Sequence, residues 1–358
     1  MSTCYYHLKH YTRTLCVLAI LLIIEGCGTV GPKKLPGDQF DFNSAINEAS
    51  SEQLLLNMVR LRYSEQPTFL KVSSIVNQYT RSGTTNILGG TNDAILGTNI
   101  AGGGAVSWSN TPTISYLPIS GQEFSRNLLT PLPPGALLGM IQSGWPIELV
   151  MKTTIWSVNG IFDEVARPSG RRFADPELYE LFELWQYLID QGMIGLKRGT
   201  ENTDTIELFF QENNTDLYNE KIIRFKDLLN LDDDSTSYII KYGLIPENQS
   251  EIAMITGSVW EIMLNLSWYF DVPPSHITNG RTMEGLAAKD STVVPPINVL
   301  FSEEEPEAHI KIYTQEHWFY IDNNDRNSKR YFSFLQLILN LSENQTQGQG
   351  PALTIPTN

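Results

Sequence analysis

The chain reads as an α+β protein of mostly antiparallel sheet and packed amphipathic helices, with one long glycine-rich hairpin loop. Three observations predict this. Helical periodicity and strand alternation fall in separate stretches of the 358 residues, not in a regular strand–helix repeat. The strongest helix signal, at 175–192, lies far from the cleanest alternation, at 105–120. Apolar residues at 41% and aromatics at 10% describe a folded chain, long enough to bury a core without disulfides.

The elements follow in order. Lys9 and Arg13 precede nine apolar residues, Cys16 to Ile24. As a helix that run is about 13 Å long against about 30 Å of bilayer hydrocarbon, too short for a permanent span. A basic stretch, a short apolar run and a small residue before a cut site make an export signal, here residues 1–26. Its end resembles a bacterial lipobox: Ile24 and Gly26 fit the positions three and one before the modified cysteine, and Glu25 departs from the pattern. The resemblance implies that Cys27 becomes the first residue and carries a thioether-linked diacylglycerol, with a further chain such as palmitate on its amine. No cysteine follows Cys27, as suits an oxidising compartment where a lone free thiol is a liability. Gly28, where inner-membrane lipoproteins carry aspartate, agrees with outer-membrane sorting. Loss of 1–26, with Lys9, Arg13 and Glu25, takes the net charge from −15 to −16. Such a surface repels nucleic acid and anionic headgroups, so the membrane partner is reached through acyl chains.

Residues 27–42 lack periodicity and read as an acylated flexible tether. An N-terminal α+β part, 43–170, opens with a helix over 44–63, where Leu54, Met58 and Leu61 share a face. Pro67 ends it, and a strand at 68–83 follows. Residues 83–104 are glycine, threonine and asparagine with almost no charge, a loop or hairpin tip. The next stretch alternates, with Ser107, Ser109, Thr111, Thr113 and Ser115 on one face and Val106, Trp108, Ile114 and Tyr116 on the other. Two short helices around "PLPPG" and a strand at 146–158 complete this part. The C-terminal α+β part, 171–345, is separate or one domain with the first. Asp175 and Pro176 open a helix with Leu178, Leu181, Phe182, Trp185 and Leu188 at core spacing, closed by Gly192. A strand at 204–211, an irregular acidic region, a long helix near 249–269, a loop over 279–307, a hairpin (308–313 and 316–321) and a helix at 328–341 come next. Residues 346–358 form a polar tail.

Motifs that carry chemistry are weak. His276, His309 and His317 are the histidines after residue 27. His309 and His317 fall on the two strands of one hairpin, without a third ligand at metal spacing. "DNNDRN" at 322–327 breaks the calcium-loop pattern at Arg326 and Asn327, and reads as a turn in which Asp325 or Ser328 caps the last helix. Ser258 lacks the first glycine of a nucleophile elbow. The acidic runs 232–234 and 303–305 read as solvated charge. The sequence therefore assigns no catalytic, metal or cofactor residues, and Cys27 is its one site.

The segments "SSEQLLLNMVRLRYSEQPTFLKVSSIVNQY", "LLTPLPPGALLGMIQSGWPIELVM" and "EHWFYIDNNDRNSKRYFSFLQLIL" resemble those of predicted outer-membrane lipoproteins of Gram-negative bacteria, a family with no assigned activity. That resemblance implies an envelope location and a shared fold, with no catalytic residues to carry over. The expectation is a lipoprotein on the periplasmic face of the outer membrane. It would be a non-enzymatic interaction or assembly component with an envelope protein partner or further copies of itself. One alternative is an oligomeric pore that inserts the 68–119 hairpin, the bland reading being a hairpin packed on its own core. Another is a periplasmic hydrolase of envelope polymer, which needs a cleft with convergent acids.

Overall fold

The structure is a computed structural model that describes residues 31–90, 99–167, 170–198, 206–211, 216–286 and 295–344. The export signal, Cys27, the centre of the glycine-rich loop and the polar tail lie outside them. The chain divides into two compact units, residues 1–49 with 75–115 and residues 50–74 with 116–358. The fold is α+β, as expected.

The first helix, α1, runs Gly31–Arg62. Residues 31–42, expected as an irregular tether, are helical. Pro32 falls in the first turn, whose amides have no intrahelical partner, and Pro36 beyond it forgoes one helical bond. Near the other end the apolar stripe is buried: Leu54, Leu55, Met58, Val59 and Leu61. The helix stops before Pro67, at Ser64, which takes a left-handed φ of 59°. Strands β1 (Leu70–Gly90) and β2 (Asn99–Pro118) follow as a two-stranded sheet of their own. They extend well into residues 83–104, expected as loop; the threonines and isoleucines there favour strand, and two strands share the conformational cost of the glycines.

The larger unit continues with α2 (Gly121–Phe124), which passes into a π-helical turn, Ser125–Leu129. Then come α3 (Pro134–Gln142) and α4 (Ile147–Thr154). The expected strand over 146–158 is α4 followed by a short strand, β3 (Ile155–Val158). An apolar run this short carries no decisive period, and Glu148 in the first turn with Lys152 in the last, 2.7 Å apart, favours the helix. Strands β4 (Ile161–Phe162), β5 (Val165–Arg167) and β6 (Gly170–Arg172) lead to α5 (Pro176–Asp190). On α5 the expected stripe, Leu178, Leu181, Phe182, Trp185 and Leu188, is buried. Asp175 stands at the N-cap but makes no capping bond; its carboxylate accepts the Phe162 amide at 2.7 Å instead.

Strands β7 (Ile194–Arg198) and β8 (Ile206–Phe210) precede α6 (Asp216–Leu229) and β9 (Ser237–Tyr242), both within the region expected to be irregular. The long helix near 249–269 is in fact β10 (Glu251–Thr256) and α7 (Val259–Ser267). Ser258 divides them. Its hydroxyl accepts the Glu261 amide while the Glu261 carboxylate accepts the Ser258 amide, a reciprocal cap that starts a new helix. A short helix, α8 (Pro274–Thr278), a strand, β11 (Leu300–Ser302), the hairpin β12 (Ile310–Thr314) and β13 (His317–Ile321), and α9 (Arg326–Asn344) complete the chain.

The main sheet has the order β4-β3-β10-β9-β8-β7, antiparallel except for β9 and β10. A second sheet has the order β11-β13-β12, all antiparallel. Among the described residues no helix is long and apolar enough to cross a membrane. Trp185 marks the core between α5 and α6: it is 1% exposed and meets the edge of Phe225 at 5.3 Å between ring centres. Trp185→Ala is expected to lower stability by about 3–5 kcal/mol in denaturant unfolding; a loss under about 1 kcal/mol contradicts this packing.

Candidate functional site

Two places in the larger unit gather polar groups in ways that packing alone does not require. One is the root of the β1–β2 hairpin. Asn57 is fully buried on an otherwise apolar stretch of α1. Its side-chain amide donates to the Thr68 carbonyl at 2.8 Å, and its carbonyl accepts the Thr68 amide at 2.9 Å. The next residue, Phe69, accepts the Ile119 amide at 2.9 Å, which joins the two ends of the hairpin. Lys71 lies 3.5 Å from Glu123, and Phe69 leads through Phe124 to Trp260 at ring spacings of 6.4 and 5.9 Å.

Five residues beyond Asn57, Arg62 is 1% exposed, with no carboxylate partner among the described residues. Its guanidinium donates to the Thr282 hydroxyl and to the Met283 carbonyl, both at 2.6 Å, and lies 4.9 Å over the Trp268 ring. The Thr282 hydroxyl in turn donates to the Arg62 carbonyl at 2.8 Å. Burial lowers its pKa to about 10, so the group remains a cation at neutral pH. Tyr63 follows, its phenol 2.7 Å from Nδ1 of buried His276. Arg281 donates to Nε2 of that ring at 3.1 Å, which leaves His276 neutral with its proton on Nδ1. Burial and then the Arg281 charge push the His276 pKa down.

The other place is a cavity of about 310 Å³ between α4, α5, α7 and α9. Asp163, just after β4, lines it and is 4% exposed. One of its carboxyl oxygens accepts the Glu164 amide at 2.7 Å, the sole hydrogen bond of that carboxyl among the described residues. Burial drives its pKa up to about 7, with the Glu164 charge adding to the effect and Lys152 opposing it. Glu164 accepts the Tyr269 phenol at 3.1 Å. Burial raises the Tyr331 phenol to about 12, and Glu148 and Asp163 push the same way.

The residues weighed in the sequence fall elsewhere or into structural roles. Cys27 lies outside the described residues. His309 and His317 are not cross-strand neighbours: His317 faces Thr314, and the His309 amide bonds to Ile321 at the far end of the hairpin. His317 instead meets His276 edge-on at 5.1 Å. Among the described residues no three His, Cys, Asp or Glu side chains gather as a metal site. Asp325 caps α9 as expected, accepting the Ser328 amide at 2.9 Å and its hydroxyl at 2.6 Å. Burial tends to raise the Asp325 pKa, but these bonds and one from Asn298 hold it below the usual range. The triplet 303–305 is exposed, and of 232–234 only Asp232 is partly covered. No family model, curated protein or solved structure matches this chain.

The Asp163 carboxyl gives a pH signature. Its folded pKa lies above the unfolded value, so its contribution to stability is full below about pH 4 and declines as pH rises through 7. Three pKa units correspond to a ceiling of about 4 kcal/mol. Relative to wild type, Asp163→Asn is expected to gain stability progressively from pH 4 to 7 and then level off. A difference independent of pH in urea unfolding contradicts the burial of this carboxyl.

Proposed function

We propose that this protein is an outer-membrane lipoprotein, held by acyl chains on Cys27, that acts as an assembly component of the envelope and not as an enzyme. In this reading the β1–β2 hairpin is its assembling element, and hairpins from several copies close into a membrane barrel. The observation that carries it is the separate two-stranded sheet.

Strands of 21 and 20 residues are about twice what a tilted strand needs to cross the hydrocarbon. An isolated two-stranded sheet is marginal in water, and among the described residues no third strand joins either of its outer edges. Soluble proteins guard such edges with lysine or other charge, yet residues 72–118 contain only Arg81 and Asp93. The alternation in β2, small hydroxyl residues against Val106, Trp108, Ile114 and Tyr116, suits a wall with water on one side and lipid on the other. Copies that meet β1 edge to β2 edge stay antiparallel throughout and give an even strand number, and a ring leaves no edge open. The root residues suit this role, since the bonds of Asn57 to Thr68 and of Phe69 to Ile119 hold the two ends of the hairpin together within the larger unit.

Two variants test the parts separately. Cys27→Ser is expected to lose labelling by a palmitate analogue, and label retained by that variant overturns the anchor. Replacement of residues 75–115 by a short turn is expected to leave labelling intact while reducing the detergent-solubilised complex to a single copy. If that variant assembles as the full chain does, the hairpin is not the assembling element.

A further inference from the structure

The cavity beside Asp163 has no part in the assembly reading and needs its own explanation. Buried carboxyls are ordinarily paired, and among the described residues this one has a single neighbouring amide although it lines about 310 Å³ of open space. That volume is at the small end of ligand cavities, about 300–1,000 Å³. The walls come from four helices and the β4–β5 connection, so the space is formed by the fold and not by one loop.

The chemistry of the walls narrows the ligand. Glu148 and Lys152 neutralise each other at 2.7 Å, leaving Asp163 and Glu164 opposed by Arg330. No strong net charge remains to select an anion, and no three carboxylates converge at metal distances among the described residues. Donors and acceptors are instead interleaved. Arg330, Asn265 and the phenol of Tyr331 can donate, and Asp163 and Glu164 can accept. A ligand whose every polar group both donates and accepts matches such a wall, and hydroxyl groups on a ring do this. The tyrosine rings of the lining add apolar surface for the ring's C–H faces.

We propose that this cavity is a binding site for a neutral saccharide of about one ring, with Asp163 and Glu164 accepting ligand hydroxyls and Arg330 and Tyr331 donating to others. Asp163 is its centre, because a hydroxyl would supply the partner that the fold withholds.

The test uses the full chain in a zwitterionic detergent without a sugar headgroup. The probes are the methyl glycosides of glucose, galactose, mannose and N-acetylglucosamine, observed by saturation-transfer NMR. At least one is expected to bind saturably, with affinity reduced about tenfold or more by Asp163→Asn, which turns one acceptor oxygen into an NH2 donor, and by Arg330→Ala, which removes a charge-assisted bond. Arg330 is exposed, so its variant reports on binding without a change in the core. Glu303→Gln, on an exposed loop, is expected to bind as wild type does. The proposal is overturned if none of the four binds, if binding survives both cavity substitutions undiminished, or if ethanolamine binds there in place of the sugars.

Discussion

A buried cation with no counter-ion among the described residues sets the geometry on which the larger unit's hairpin root depends. Taking a guanidinium out of water costs several kcal/mol unless its donors are met. Arg62 offsets much of that cost with a hydroxyl, a backbone carbonyl and the face of Trp268, while its buried Nε has no hydrogen-bond partner among the described residues. A lysine could not reach this set of partners at once, because it lacks the planar fork that serves two acceptors side by side. The result is a helix end whose position is fixed by contacts 220 residues away in sequence. Packing around Gly285 is equally tight: a side chain there would come within 3.2 Å of the Trp268 carbonyl and 3.5 Å of the guanidinium. With α1 so fixed, Asn57 presents its amide to Thr68, and the first strand of the hairpin starts from a defined point.

How much of this could be read from the sequence depends on whether the signal was local. The helix at 176–190 was legible because five apolar residues recur at core spacing between a proline start and a glycine stop. The hairpin at 310–321 was legible from its aromatic and β-branched strands, and α9 from Asp325 and its apolar stripe. Residues 147–154 and 251–256 were not. Both are short stretches, one a helix and the other a buried strand, and too short for a period to distinguish them. The Ser258 and Glu261 spacing was the one local sign that a helix starts there rather than continues. The strands of the long hairpin were underestimated because glycine and threonine read as loop until a partner strand is present.

The sites divide in the same way. Cys27 rests wholly on local pattern. The cavity rests on none: Glu148, Asp163, Asn265 and Tyr331 come from four separate stretches of the chain, and only the fold brings them together. Asn57 and Arg62 carried a weak sign, a polar amide and a charge inside an apolar helical stretch, which implies partners without naming them. His317 likewise found its neighbour in His276, on a separate helix, and not in the histidine of its own hairpin.

In the proposed assembly, hairpins of separate copies complete one another, since among the described residues no third strand joins either edge. The near absence of charge between 72 and 118 suits that proposed arrangement. Electrical recording from a planar lipid bilayer exposed to the purified full chain tests it most directly. The account predicts discrete conductance steps of uniform size, absent when residues 75–115 are replaced by a turn. A bilayer that stays silent with the full chain inserted, or one that conducts equally well without the hairpin, would contradict it.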